Sequence, residues 1–217
     1  MKLQFTRKNA LPEIPPPPDV ILASQSIGRR MLLEKLGLRF RVVVSRVDED
    51  AIIDRDPYKM IKMRAAAKVR EIVGHPRVYA IPETRESLVV AADSMAVIGK
   101  KTFGKSIDRE DTREMLKNLM GRTHVFATAV SVVLFDGTKV KKQWDKVVKT
   151  RVTMRKMMPV EIDSYVSRFD FTRFAAAYAI NEAPWDLVSK MDGSYTNVIG
   201  LPFEVLLPIL RAQKIIV

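Results

Sequence analysis

The sequence predicts an α/β protein. Three observations carry that prediction. Short β-branched apolar runs alternate with segments whose apolar residues recur at helical spacing. Two long β-type runs are joined by Asp136-Gly137, a strong turn signal. The chain is 47% hydrophobic and 29% charged over 217 residues, too apolar for a disordered chain and long enough for one large domain or two small lobes with a proper core.

Residues 1–19 read as an appendage. Pro12 and the run Pro15–Pro18 favour an extended polyproline conformation, and no core-forming pattern precedes them. A strap or spacer is the plainer reading and a partner-docking segment the alternative. The folded domain, residues 20–217, opens on Val20-Ile21-Leu22-Ala23, a buried-strand run. After Ser24 to Arg30, a helix is expected over Met31–Leu36, closed by Gly37. Phe40–Ser45 is β-branched and reads as a second strand. Pro57 through Val73 is helical, with Met60, Ile61, Arg64, Ala65 and Lys68 at helical spacing and Gly74-His75-Pro76 as the stop. Leu88–Ile98 is a strand that Gly99-Lys100-Lys101 turns. Asp108 can cap a helix running to Leu119, with Glu110 and Asp111 where the helix dipole favours acids. Val125–Phe135 and Val140–Met154 form the hairpin around Asp136-Gly137. Pro159 opens a helix through Phe169, and Phe203–Arg211 forms the last one. Alternating strands and helices with one inserted hairpin define the class.

Charge and composition narrow the function. Lys plus Arg is 37 against 25 for Asp plus Glu, a formal charge of +12. An excess of that size implies an anionic partner: nucleic acid, a membrane surface or a phosphorylated small molecule. The absence of cysteine excludes disulfide scaffolds, Cys-based zinc sites and thiol nucleophiles, and two histidines, His75 and His124, exclude a His-rich metal site. Apolar stretches such as Val125–Phe135 fall far short of the ~20 residues that span a bilayer, and the N-terminus lacks the apolar core of a secretory signal. A cytoplasmic protein without a membrane partner is the default expectation.

Several residues could do chemistry. Ser24 to Arg30 places two hydroxyls, a glycine and two guanidinium groups between a strand and a helix, where free backbone N–H groups and the positive helix end attract anions. It is not a Walker A loop, and a Ser-capped helix with solvated arginines is the plainer alternative. Asp93 interrupts the otherwise apolar strand from Leu88 to Val97. A charge in a buried strand is expensive unless it is paired or bound to a cation, so Asp93 is the most informative single residue. A bulge or a structural ion pair would be the bland explanation. Asp48-Glu49-Asp50 follows the second strand. Because Mg²⁺ is usually held by one or two carboxylates plus substrate phosphates, Glu49 with Asp93 would suffice. Lys68, on a helix face otherwise lined by small and apolar residues, and Lys105, after Gly104, could each neutralise a phosphate or be ordinary surface lysines.

In combination these segments resemble the Maf family, over roughly residues 20–212. The family's opening L-A-S-x-S-P-R-R-x-x-L-L is similar to Leu22-Ala23-Ser24-Gln25-Ser26-Ile27-Gly28-Arg29-Arg30-Met31-Leu32-Leu33. Its S-x-x-D-E resembles Ser45 to Glu49, its A-x-x-K helix Ala65 to Lys68, its A-D-T/S Ala92-Asp93-Ser94, and its G-K-P Gly104-Lys105-Ser106. Its G-R-T-H and G-S-Y-x-N-V-x-G-L-P signatures resemble Gly121 to His124 and Gly193 to Pro202. The resemblance implies a mixed central sheet with flanking helices, two lobes around a nucleotide cleft, and a hydrolase that converts a nucleoside triphosphate to the monophosphate and pyrophosphate, removing non-canonical or excess nucleotides. It implies Mg²⁺ or Mn²⁺ as cofactor, held at Glu49 and Asp93, and it allows a homodimer. Asp93 falls at the catalytic acidic position. Ser24, Arg29, Lys68 and Lys105 fall at positions for phosphate binding and transition-state charge. Gly28, Ser94 and Asn181 fall at positions that choose the base.

The chain departs from the family at three of these points, one of them Ser106 for the proline of G-K-P. Ser26-Ile27-Gly28-Arg29 lacks the proline and first arginine of S-P-R-R, and Ala175 to Asn181 resembles A-G-A-Y-G-I-Q with Asn for the usual Gln. The missing Arg and Gln belong to the branch preferring dTTP and UTP, so the base preference stays open. The competing expectation is a non-catalytic nucleotide- or nucleic-acid-binding regulator on the same fold, supported by the basic stretch Lys139–Lys156. A solvated sheet face explains that stretch more simply, and nucleic acid is the less favoured partner.

Overall fold

The computed structural model describes residues 16–182 and 185–217. Its strands, in chain order, are β1 Asp19–Ala23, β2 Phe40–Val43, β3 Ser87–Ile98, β4 Lys101–Phe103, β5 Thr123–Phe135, β6 Val140–Met154 and β7 Val188–Asp192. The helices are α1 Ile27–Lys35, α2 Pro57–Gly74, α3 Arg109–Leu119, α4 Pro159–Arg168, α5 Tyr195–Ile199 and α6 Phe203–Ala212. One mixed sheet runs in the order β2-β1-β3-β5-β6-β7, with β4 paired to β3 off that path. The α/β class and the central mixed sheet with flanking helices are as expected.

Alternation along the strands builds a core on each face of the sheet. Leu22, Leu88, Val90, Val130 and Val132 point to one side, where Leu32 and Leu33 of α1 and Leu206, Ile209 and Leu210 of α6 cover them. At the other end of that side, Ala96, Phe126, Val152 and Met154 pack under α3 and α4. On the opposite face α2 runs the length of the sheet. Its Val69 and Ile72 meet Ile21, Val89 and Val133, and its Ile61 and Ala65 meet Met95, Val97 and Ala127. Burial on both faces explains why β3 is nearly all apolar.

Local signals account for most boundaries. Asp56 caps α2 by accepting from the Tyr58 amide, with Pro57 at the first helical position, and Asp108 caps α3 by accepting from Asp111 N at 2.8 Å. The hairpin turn is held by Asp136 Oδ1, which accepts from the amides of Thr138 and Lys139. Helix α1 starts at Ile27, earlier than Met31, because the Ser26 hydroxyl accepts from the Arg29 amide and so caps the helix there. Gly28, Arg29 and Arg30 therefore lie in its first turn. The sequence reading did not anticipate β4, β7, α5 or the short 3₁₀ turn Trp185–Leu187. Of the proline run, Pro18 is buried and Pro17 O accepts from Arg85 at 3.2 Å, while Pro12 and Pro15 lie outside the described residues.

Candidate active site

The site forms where the sheet splits. On one flank β3 pairs with β5 without interruption from Ser87 to Val97. On the other, β1 covers Ser87 to Val90 and β4 covers Ala96 to Ile98. Between β1 and β4 that flank has no strand partner among the described residues, and Asp93 stands in the opening. Binding sites in α/β sheets favour such points, where neighbouring strands diverge beyond their ends. A cleft of about 570 Å³ lies there. Its walls come from the end of β1, the start of α1, the β2–α2 loop, α2, the β4–α3 loop, residues 173–181 and the end of α5.

Asp93 sits in regular strand, opposite Ala129, with no bulge at that position. Burial pushes its carboxyl above the ordinary carboxylate range, against the pull of Lys68 and Arg29. Lys68 projects from α2 on the face that also carries Ile61, Ala65 and Ile72, which buries it against the sheet. Its ammonium donates to the Ala92 carbonyl at 3.2 Å and pairs with Glu49 Oε2 at 2.5 Å. Asp93 Oδ1 is 3.8 Å away. Burial lowers the ammonium below the usual lysine range, with the Asp93 carboxylate opposing. Glu49 reaches in from a loop that Asp48 turns, its Oδ1 accepting from the amides of Asp50 and Ala51. Asp48 thus serves the turn of the loop, whereas Glu49 enters the cluster.

Arg29 is the second buried cation, 8% exposed. Its Nε donates to Gly200 O at 2.8 Å, Nη1 to Ser24 Oγ at 3.0 Å and Nη2 to Ser94 Oγ at 2.9 Å. Three of the five guanidinium donors thus bind protein acceptors, which leaves two for a ligand. The chain of hydroxyls continues from Ser94 to Thr128 and on to the Asn197 carbonyl. Arg29 is therefore not a solvated arginine; it ties α1 to β1, β3 and the end of α5.

The remaining expected residues divide. Ser24, Ser94, Lys105 and Asn181 all line the cleft. Lys105 is exposed, in a loop whose backbone bridges to Ala175. Asn181 Nδ2 donates to Glu182 Oε1 at 3.1 Å. Gly28 does not line the cleft. A Cβ built there would stand 2.9 Å from the Ile199 carbonyl oxygen, so this glycine permits close packing of α1 on α5.

The donor set suits a hard divalent cation. Asp93 Oδ2 is buried with no hydrogen-bond partner among the described residues, and Glu49 lies across Lys68 from it. No group of three or more His, Cys, Asp or Glu side chains gathers among the described residues. Two carboxylates fit Mg²⁺ or Mn²⁺, whose other positions go to water and phosphate oxygens, better than they fit a zinc cage.

The family model for Maf-like proteins matches residues 19–213. The chain belongs to the Maf-like family. A dTTP/UTP pyrophosphatase of Thermoanaerobacter sp. is 34% identical over 201 residues, covering 89% of this chain and 96% of the relative. Its namesake in Akkermansia muciniphila is 36% identical over 186 residues, covering 85% and 91%. A solved dITP/XTP pyrophosphatase from Mycobacterium abscessus aligns over 90% of this chain at 11% identity with a TM-score of 0.38, too low to carry weight.

The Maf-like cleft also contains residues that sequence reasoning passed over. Arg64 lines it, donates from Nε to Ile52 O at 3.1 Å, and so fastens the Glu49 loop to α2. Its place one turn before Lys68 was a usable signal, since residues four apart share a helix face. Arg173 and Tyr178 line the cleft from an irregular segment, where no periodicity marks them.

Proposed function

We propose that this Maf-like protein hydrolyses a nucleoside triphosphate to the monophosphate and pyrophosphate. The observation that carries this reading is Asp93, unbulged in an apolar strand at the opening of the sheet, with Lys68 and Arg29 buried around it. Its nearest paired cation, Lys68, lies closer to Glu49, at 2.5 Å against 3.8 Å, so an ion pair with Lys68 does not by itself account for that carboxylate. Its relatives' names, dTTP/UTP pyrophosphatase, support the reaction class.

Water attacks a phosphorus of the α–β anhydride, the bridging P–O bond breaks, and pyrophosphate leaves. Negative charge grows on oxygens that are already anionic, so positioned cations dominate the rate. Lys68 and Arg29 meet that charge from fixed positions, Lys105 and Arg64 from the rim. Asp93 accepts the proton of the attacking water from its place in the opening of the sheet. Glu49 and Asp93 would hold Mg²⁺ or Mn²⁺. The cation, when bound, supplies Lewis-acid polarisation of the phosphates and a more acidic water. Asn181, Ser94 and the neighbouring wall face the base, and clearing unwanted nucleotides is the physiological role this activity would serve.

The regulator reading gains no observation of its own. Within the basic stretch, Lys141 pairs with Glu86, and Lys142 and Lys149 lie over the rings of Trp144 and Tyr58. The decisive test is pyrophosphate release from a panel of canonical and modified nucleoside triphosphates, dTTP and UTP first, with and without Mg²⁺ or Mn²⁺. Metal-dependent release of equal amounts of monophosphate and pyrophosphate is expected. Orthophosphate as the first product, or no turnover of any triphosphate, would overturn the proposal.

A further inference from the structure

The segment that forms one wall of the cleft has an unusual backbone. Ala176 and Ala177 stand in succession at φ 60° and φ 58°, in the left-handed region that residues other than glycine seldom occupy. Such conformations persist only when the surroundings over-determine them, and they gather at functional sites. Here both alanines are wholly buried, and the segment carries Tyr178, Ala179 and Asn181 onto the cleft wall.

Two attachments hold it. On one side the Ala176 amide donates to Gly104 O at 2.7 Å, and Ala175 bridges Lys105, so the segment and the Lys105 loop are fastened to each other. On the other side Tyr178 points into the core. Its hydroxyl lies 2.8 Å from His124 Nε2, and its ring meets His124 and Phe126 edge to face. His124 is 1% exposed on β5, and its Nδ1 has no partner among the described residues. It does not line the cleft, and burial drives its imidazole pKa down to about 4, so it is neutral at physiological pH. A buried neutral histidine with a single polar contact has been placed for that contact.

We infer that His124 is a positioning residue, which acts through its hydrogen bond to Tyr178 to lock the left-handed turn at Ala176–Ala177 and so seats both Lys105 and Asn181 on the cleft. The inference rests on the proposed triphosphate reaction for its kinetic consequence but not for its structural one. Without the bond, the ring of Tyr178 stays buried while the turn is free to relax. The two groups it carries, one placed for phosphate and one for base, then lose their common register.

The test uses Tyr178→Phe and His124→Phe in the full chain, each keeping an aromatic ring in the core. Loss of one buried hydrogen bond should raise KM for the triphosphate about tenfold, with kcat within about threefold. Adding Ala176→Gly and Ala177→Gly to Tyr178→Phe should recover most of that KM, because glycine adopts the turn without a lock. A purely structural role would lower the melting temperature without this KM-selective loss and would gain nothing from the glycines. Hydrogen exchange of the 104–107 and 174–181 amides reads the lock without turnover, and faster exchange confined to those segments is expected in either variant. Unchanged exchange and KM in both variants, or a KM loss that the glycines leave in place, overturns the inference. Faster exchange in a protein that turns over no triphosphate would sink the reaction and leave the lock standing. Should one variant fail to fold, the other carries the same readouts; failure of both to fold would assign the pair to stability and also overturn it.

Discussion

The two flanks of β3 are built for different ends. Toward β5 the pairing is continuous from Ser87 to Val97, and Ala129, opposite Asp93, is wholly buried. Toward β1 and β4 the same strand is left open at its centre, and the opening holds Asp93 beside Lys68, with Arg29 close behind. One flank satisfies its backbone with a neighbour and buries mostly apolar side chains, its Thr128 hydrogen-bonded to Ser94 and the Asn197 carbonyl. The other concentrates charge that burial penalises, as the raised Asp93 and lowered Lys68 pKa values show. The continuous flank supplies the rigidity that lets the open flank bear this cost.

Replacing Asp93 by Asn separates the two flanks most sharply. If the open flank exists for chemistry, Asp93→Asn should reduce kcat by about 10²–10⁴-fold, the usual contribution of a positioned base. Because burial disfavours the charged carboxylate, the variant should melt at the same temperature as the parent or higher. Steady-state pyrophosphate release and a thermal melt decide both halves; a large loss of stability would make Asp93 structural.

Most of this contrast was legible in the sequence, and the reason is that burial and charge leave marks on a strand. An apolar run interrupted by one aspartate announced the site, and Lys68 among alanines announced its neighbour. The long elements α2, α3, β3, β5 and β6 follow from periodicity and capping. What escaped are features set by tertiary approach. The three-residue β4 and the five-residue α5 are too short for any period to register. The reach of Arg29 to Gly200 and the tight fit of Gly28 on Ile199 join residues far apart in the chain. The left-handed turn at Ala176–Ala177 carries no glycine to signal it.

The continuous flank can be probed by pH through His124, which β5 buries. Its imidazole pKa is about 4 in the fold against 6.5 when free, so between those values the unfolded chain binds more protons than the folded one. Stability should therefore be full above about pH 6.5 and fall as pH drops toward 4, by ~3 kcal/mol from this residue. Denaturant titrations from pH 7 to 4.5 should show that slope in the parent and lose it in His124→Phe. An unchanged slope would mean that His124 is not buried neutral.

Two smaller substitutions compare attachment with access. Thr128→Val keeps the shape of the side chain on the continuous flank but removes the hydroxyl that donates to Asn197 O and meets Ser94 Oγ. It should cost about 1–3 kcal/mol of stability, the range for leaving a buried polar partner unmade, as read by chemical denaturation. Gly28→Ala should cost about 1–3 kcal/mol as well, because the new methyl meets a backbone carbonyl that cannot turn away.

Lys105 is the limiting case, a cleft cation with no share in the core. It is exposed, and its link to the fold is the backbone bridge to Ala175, which a side-chain change leaves intact. Lys105→Ala should therefore leave stability within about 0.5 kcal/mol of the parent. It should nevertheless raise KM for the triphosphate severalfold at low salt, and the difference should shrink as salt screens the charge. Lys68, buried against the sheet, should show the reverse: Lys68→Met leaves Glu49 and Asp93 without their shared cation and should hardly respond to salt. If the two lysines respond alike, burial is not what distinguishes the cations of the open flank, and the contrast between a buried inner set and an exposed rim fails.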